Sequence, residues 1–162
     1  MKLRRTALAF ILILASPVLA RDALGIFGTW GAFRDAEPER CFAIAEPIEP
    51  SSGKWKPFVS VSHWPKQNIR GQLHVRLSRE RSEDKFVYLT IDDRRWRLTA
   101  GKADAWSLSA AHDAYIIARM RAGRSMSITT VAATGGGFAD TYSLKGAATA
   151  IDAAALGCAA PR

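Results

Sequence analysis

Apolar positions along this chain recur mainly with a period of two. Arg70 to Ser78 alternates strictly, with Leu73, Val75 and Leu77 on one face and Gln72, His74 and Arg76 on the other. That spacing predicts a strand with one side in a core and one in water. Phe58 to Trp64 places Val59, Val61 and His63 together. Phe86 to Ile91 is apolar on both faces, which predicts a strand covered on both sides. Phe27 to Phe33, Cys41 to Ala45, Arg95 to Thr99, Ser125 to Ala132 and Phe138 to Leu144 bring the set to about eight strands. Asp92-Asp93-Arg94 and Gly135-Gly136-Gly137 read as hairpin turns.

Two segments leave this pattern. Ser109 is a candidate N-cap for a helix whose stripe is Tyr115, Ile116, Ile117 and Met120, with Gly123 at its end. Ala147 to Leu156 forms a second short helix that ends beside Gly157 and Cys158. The proline-rich stretch Glu46 to Pro57 reads as a loop within one domain. Many strands with two short helices predict a mainly β single domain, either a β-sandwich or a partly open barrel.

Length and composition agree: 162 residues, 48% of them hydrophobic, suffice for one domain with a real core. The N-terminus adds an address. Lys2, Arg4 and Arg5 precede the apolar run Ala7 to Ala15, then Ser16-Pro17 and the small-residue site Val18-Leu19-Ala20. This is the layout of a secretory signal peptide, so residues 1–20 are expected to be cleaved, leaving 21–162 as the folded domain. The run is too short to span a bilayer, and no later segment reads as a transmembrane helix. The expected location is the periplasm or the cell exterior.

Cleavage would lower the formal net charge from +8 to +5. Basicity ordinarily suggests nucleic acid, but an exported protein rarely meets it, so an anionic envelope component or an envelope protein is the expected partner. Two cysteines are too few for a four-thiolate zinc site. In an oxidising compartment Cys41 and Cys158 are expected to pair, the alternative being two buried free thiols.

Catalytic signals are sparse. Gly123-Arg124-Ser125-Met126-Ser127 runs helix-to-strand, the reverse of a nucleophile elbow. His63, His74 and His112 lack metal-ligand spacing, and His63 reads as a hydrogen-bonded core histidine. No catalytic residue, metal or cofactor is assigned. A hydrolase of an envelope polymer is the alternative, motivated by five tryptophans and by carboxylates in loops. One surface stands out instead. Arg70, His74 and Arg76 on one strand, with Arg95 and Arg97 on another, would form a basic face free of acidic residues if the two strands share a sheet. That face is the candidate partner-binding site.

The order of these pieces has a likeness. A leader is followed by Gly28-Thr29-Trp30-Gly31-Ala32-Phe33 and then Cys41-Phe42-Ala43-Ile44-Ala45-Glu46-Pro47. Ala105-Trp106, Met120-Arg121-Ala122-Gly123 and Asp140-Thr141-Tyr142-Ser143-Leu144-Lys145-Gly146 come next, before an alanine-rich helix and a cysteine. The chain resembles the invasion-associated locus B family of exported proteins, most specifically in Tyr142 to Gly146. It departs from the family pattern at Ala147-Ala148 and at Asp92-Asp93-Arg94. The resemblance implies a β-rich envelope domain and brings no catalytic residues with it.

Overall fold

A computed structural model describes residues 21–49 and 55–159; the signal-peptide expectation for 1–20 and the middle of the 46–57 loop lie outside them. Ten strands form one antiparallel sheet: β1 (Arg21–Phe27), β2 (Trp30–Asp35), β3 (Arg40–Ala45), β4 (Phe58–Trp64), β5 (Ile69–Arg76), β6 (Val87–Ile91), β7 (Arg94–Ala100), β8 (Asp104–Trp106), β9 (Ser125–Val131) and β10 (Gly137–Ser143). Their spatial order is β1-β2-β3-β4-β5-β8-β7-β6-β9-β10. The sheet curls into a half-barrel, the more open of the two architectures that the sequence predicts. Helices α1 (Ala110–Ala122) and α2 (Ala147–Ala159) contribute to the core on its inner side.

Alternation selects the inner face. Ala32, Ala43, Val61 and Leu73 form one cross-strand row, and Trp30, Ala45, Val59 and Val75 form another; all are buried. On the other half of the sheet Val87, Leu89 and Ile91 continue this face, joined by Met126 and Ile128. Ala147, Ala150, Ile151 and Ala154 press α2 onto the small-residue strands. The alanines permit that approach, because their short side chains leave room between helix and sheet.

Helix α1 solves a different problem. β8 is three residues long and covers only His74 to Arg76 of β5, so on the side away from β4 the stretch Ile69 to Leu73 has no strand neighbour. Here α1 packs beside β5, and Asp113 Oδ1 accepts the Leu73 N–H at 2.8 Å. A buried carboxylate thus completes a backbone donor that would otherwise go unpaired. Asp140 serves Ser78 the same way, its Oδ2 accepting the backbone N–H at 2.9 Å.

The Tyr142–Gly146 segment locks β10 against the β1–β2 turn. Trp30 Nε1 donates to the Ser143 carbonyl at 2.8 Å, and Thr29 N donates to the Lys145 carbonyl at 3.2 Å. Gly146 has φ +93°, and a side chain there would collide with the Phe27 carbonyl. Glycine is required on both counts.

Several expectations need correction. The first expected strand, Phe27 to Phe33, is in fact the end of β1, a turn at Gly28-Thr29 and the start of β2. Glycine at φ +61° in position 28 makes that turn. β1 and β8 are additional strands, one with a weak alternation and one too short to show any. β6 is fully covered on one face only; Tyr88 and Thr90 are half-buried on the other, and Phe86 lies outside the strand, 54% exposed. Its aromatic and β-branched residues serve an outer surface, where the same composition reads as core. Helix α2 continues through Gly157 and Cys158 to Ala159.

Candidate ligand-binding face

Cys41 and Cys158 form the disulfide, with a Cα separation of 5.7 Å across 117 positions of sequence. It pins the C-terminal end of α2 to β3. Cys41 also pairs in register with His63 of β4.

Around His63 the expected basic face breaks up. β5 carries an extra residue, so that Ser62 pairs with Gln72 but His63 pairs with Arg70, and Gly71 adopts φ +80° at the irregularity. This shift moves Arg70 onto the inner face. Arg70 lines a cavity of about 380 Å³ with His63, Cys158, Ala155 and Leu156, on the opposite side of the sheet from His74. His63 itself departs from the hydrogen-bonded histidine expected, since its Nε2 is buried without a partner among the described residues. Burial lowers its pKa below 6.5, and the charges of Arg121 and Arg70 lower it further.

His74 and Arg76 do share the outer face, but an acid stands between them and β7. Asp104 of β8 accepts from Arg76 Nε at 2.6 Å and contacts His74 Nε2 at 2.8 Å through the same Oδ1. The carboxylate escapes a reading from β5 and β7 because β8, which carries it, is inserted between them. His74 lies parallel to Trp106, with centroids 5.3 Å apart, and meets Phe58 edge-on at 5.2 Å. Trp55 lies 5.4 Å from the Arg76 guanidinium. Trp106 remains 37% exposed as a residue.

Arg95 and Arg97 are where alternation puts them, exposed on the outer side of β7. Arg95 rests 3.6 Å above the ring of Tyr88, and Arg97 lies 4.7 Å from that of Phe86. Among the described residues neither forms an ion pair. Thr99, two positions on, pairs with Trp106, so the arginines and the Trp106 cluster belong to one continuous surface.

A second outer cluster, near the free edge of β1, is partly neutralised by one carboxylate. Asp35 accepts from Arg21 at 2.7 Å and Arg40 at 2.8 Å, and Arg40 covers Phe42 at 4.0 Å. Burial raises the Asp35 pKa, but the two guanidinium groups outweigh it and hold the carboxyl below its usual value. Of the five arginine and histidine residues expected to form the site, Arg95 and Arg97 are free, His74 and Arg76 share Asp104, and Arg70 lies on the other side. Trp106, Tyr88 and Phe86 were missed as parts of this surface. Phe86 and Tyr88 share a face in the Phe86 to Ile91 alternation, whereas Trp106 sits in a strand too short to show one.

No family model matches the chain, and no curated protein matches it. Among solved structures, invasion-associated protein B from Bartonella henselae has the same fold, with a TM-score of 0.58 and 15% sequence identity. The likeness covers 83% of this chain and 97% of that one. The architecture implied by the sequence resemblance is therefore the one observed.

Proposed function

We propose that this is an exported envelope protein of a Gram-negative bacterium that binds an anionic envelope component through the outer face of its sheet, and does so without catalysis. The observation that carries this reading is the exposed Arg95–Arg97 pair, held on aromatic rings and left without carboxylate partners among the described residues. Cation–π contact restrains each guanidinium while leaving its N–H groups available to an anion. Restrained donors lose less entropy on binding than free side chains do. Export is supported by the disulfide, a bond typical of oxidising compartments, and by the shared fold with the Bartonella protein. A binding role is favoured by the work assigned to the carboxylates, since Asp113 and Asp140 satisfy backbone donors and Asp104 ties His74 to Arg76.

The test is sedimentation of the purified protein with isolated envelope from its own organism. Binding at low ionic strength that weakens as salt is raised supports the reading, because exposed charges are screened beyond about 10 Å at 0.1 M salt. Absence of binding at low ionic strength overturns it.

A further inference from the structure

We infer that Trp106 and the His74–Asp104–Arg76 group form a saccharide subsite, so that the anionic component is a sugar polymer bearing carboxylates or phosphates. The inference rests on the binding reading above and names the chemical class of the ligand. Sugar rings present two kinds of surface: a patch of C–H groups on one side and hydroxyls around the rim. A site for them needs a flat, rigid, exposed aromatic ring with hydrogen-bonding groups close to its plane. Trp106 supplies the ring. It is 37% exposed, and its orientation is fixed by the parallel His74 imidazole and by its place in β8 between β5 and β7.

The polar rim is next to it. Asp104 Oδ1 takes the contacts from both His74 and Arg76, and with its side chain 25% exposed Oδ2 is left as an acceptor. Arg76 uses Nε for that bond, so its two Nη groups remain as donors beside the acceptor. An acceptor next to donors of fixed direction matches neighbouring hydroxyls of one sugar, each of which both gives and receives a hydrogen bond. Because the side chains hold one another in place, little ordering is needed when a ligand arrives.

Charge then selects the polymer. Thr99 pairs with Trp106, and Arg97 and Arg95 follow on the same face of β7. Strand geometry puts the Arg95 position about 14 Å from Trp106. That distance accommodates several sugar units, one over the indole and the next ones against two unpaired guanidinium groups. A simple polyanion would use the arginines and ignore the indole; a neutral glycan would use the indole and ignore the arginines. The combination specifies an acidic polysaccharide.

The experiment measures binding of the intact mature protein to polygalacturonate, phosphomannan, neutral dextran and inorganic polyphosphate at low ionic strength. Affinity for polygalacturonate or phosphomannan should exceed that for dextran. Trp106→Thr, a strand-compatible change at an exposed site, should weaken the favoured polysaccharide about tenfold, as loss of a central aromatic contact does, and leave polyphosphate unaffected. Asp104→Asn provides a second variant that keeps the ring and alters the rim, with circular dichroism confirming the fold in each case. Binding to neither acidic polysaccharide overturns the inference, as does an unchanged affinity in both variants. Envelope binding lost in an Arg95→Gln/Arg97→Gln variant but retained in Trp106→Thr would leave the proposed function standing and remove the saccharide subsite.

Discussion

Removing the Cys41–Cys158 bridge should cost this domain a large part of its stability. The bond joins positions 117 residues apart, nearly the whole of the described chain. In the chain-entropy model a loop of that size restricts the unfolded state by roughly 5 kcal/mol at 25 °C. Domains commonly have only 5–15 kcal/mol in total. The native contacts around the bond survive its removal, since Ala150, Ile151 and Ala154 still hold α2 on the sheet. The effect is therefore expected mainly through the unfolded chain. With a urea slope of about 2 kcal/mol per M, the unfolding midpoint of Cys41→Ala/Cys158→Ala should fall by about 2.5 M. Each single alanine variant should lose about as much as the double, because either change breaks the same cross-link. A loss below about 1.5 kcal/mol, or single losses that add up in the double variant, would refute the reasoning.

Other expectations can be checked with the same purified protein. Gly146→Ala should destabilise by more than about 2 kcal/mol in urea unfolding, since it combines a positive φ with a collision at the Phe27 carbonyl. Asp113→Ala strands the buried Leu73 N–H and should cost about 1–3 kcal/mol by the same assay. His63 titrates below its ordinary 6.5 in the folded state, so the unfolded chain takes up the proton first as the pH falls. Its contribution is thus present above about 6.5 and is lost progressively below it, and His63→Asn should flatten this part of the stability–pH curve measured by chemical denaturation.

Local rules recovered a good deal of this fold and failed at identifiable places. Strict alternation in β5 located Leu73 and Val75 correctly because each residue was judged against its immediate neighbours. The same rule misplaced Arg70, since one extra residue opposite Ser62 and His63 reverses which face follows, and only the partner strand reveals it. Ser109 was readable as a helix cap, and its hydroxyl does accept the His112 N–H at 3.3 Å. By contrast, the need for α1 at the exposed stretch of β5 depends on the shortness of β8, a property of the assembled sheet. The arginines of the candidate face were visible, whereas Asp104 was not, because a three-residue strand carries no periodic signal. Tyr142 to Gly146, the most family-like segment, has a physical explanation only once β10 is seen against the β1–β2 turn.

The most direct test of the outer face compares two charge-matched double variants in binding to isolated envelope across a salt series. Arg95→Gln/Arg97→Gln removes the free guanidinium groups of the outer surface; Arg70→Gln/Arg121→Gln removes two charges from the α2 side, near His63. Both lower the net charge equally, so bulk electrostatics affects them alike. The account predicts that the first variant loses most binding at low ionic strength and shows a flatter salt dependence, while the second binds nearly as the parent does. Equal losses in the two variants, or undiminished binding by Arg95→Gln/Arg97→Gln with its fold intact, would contradict it.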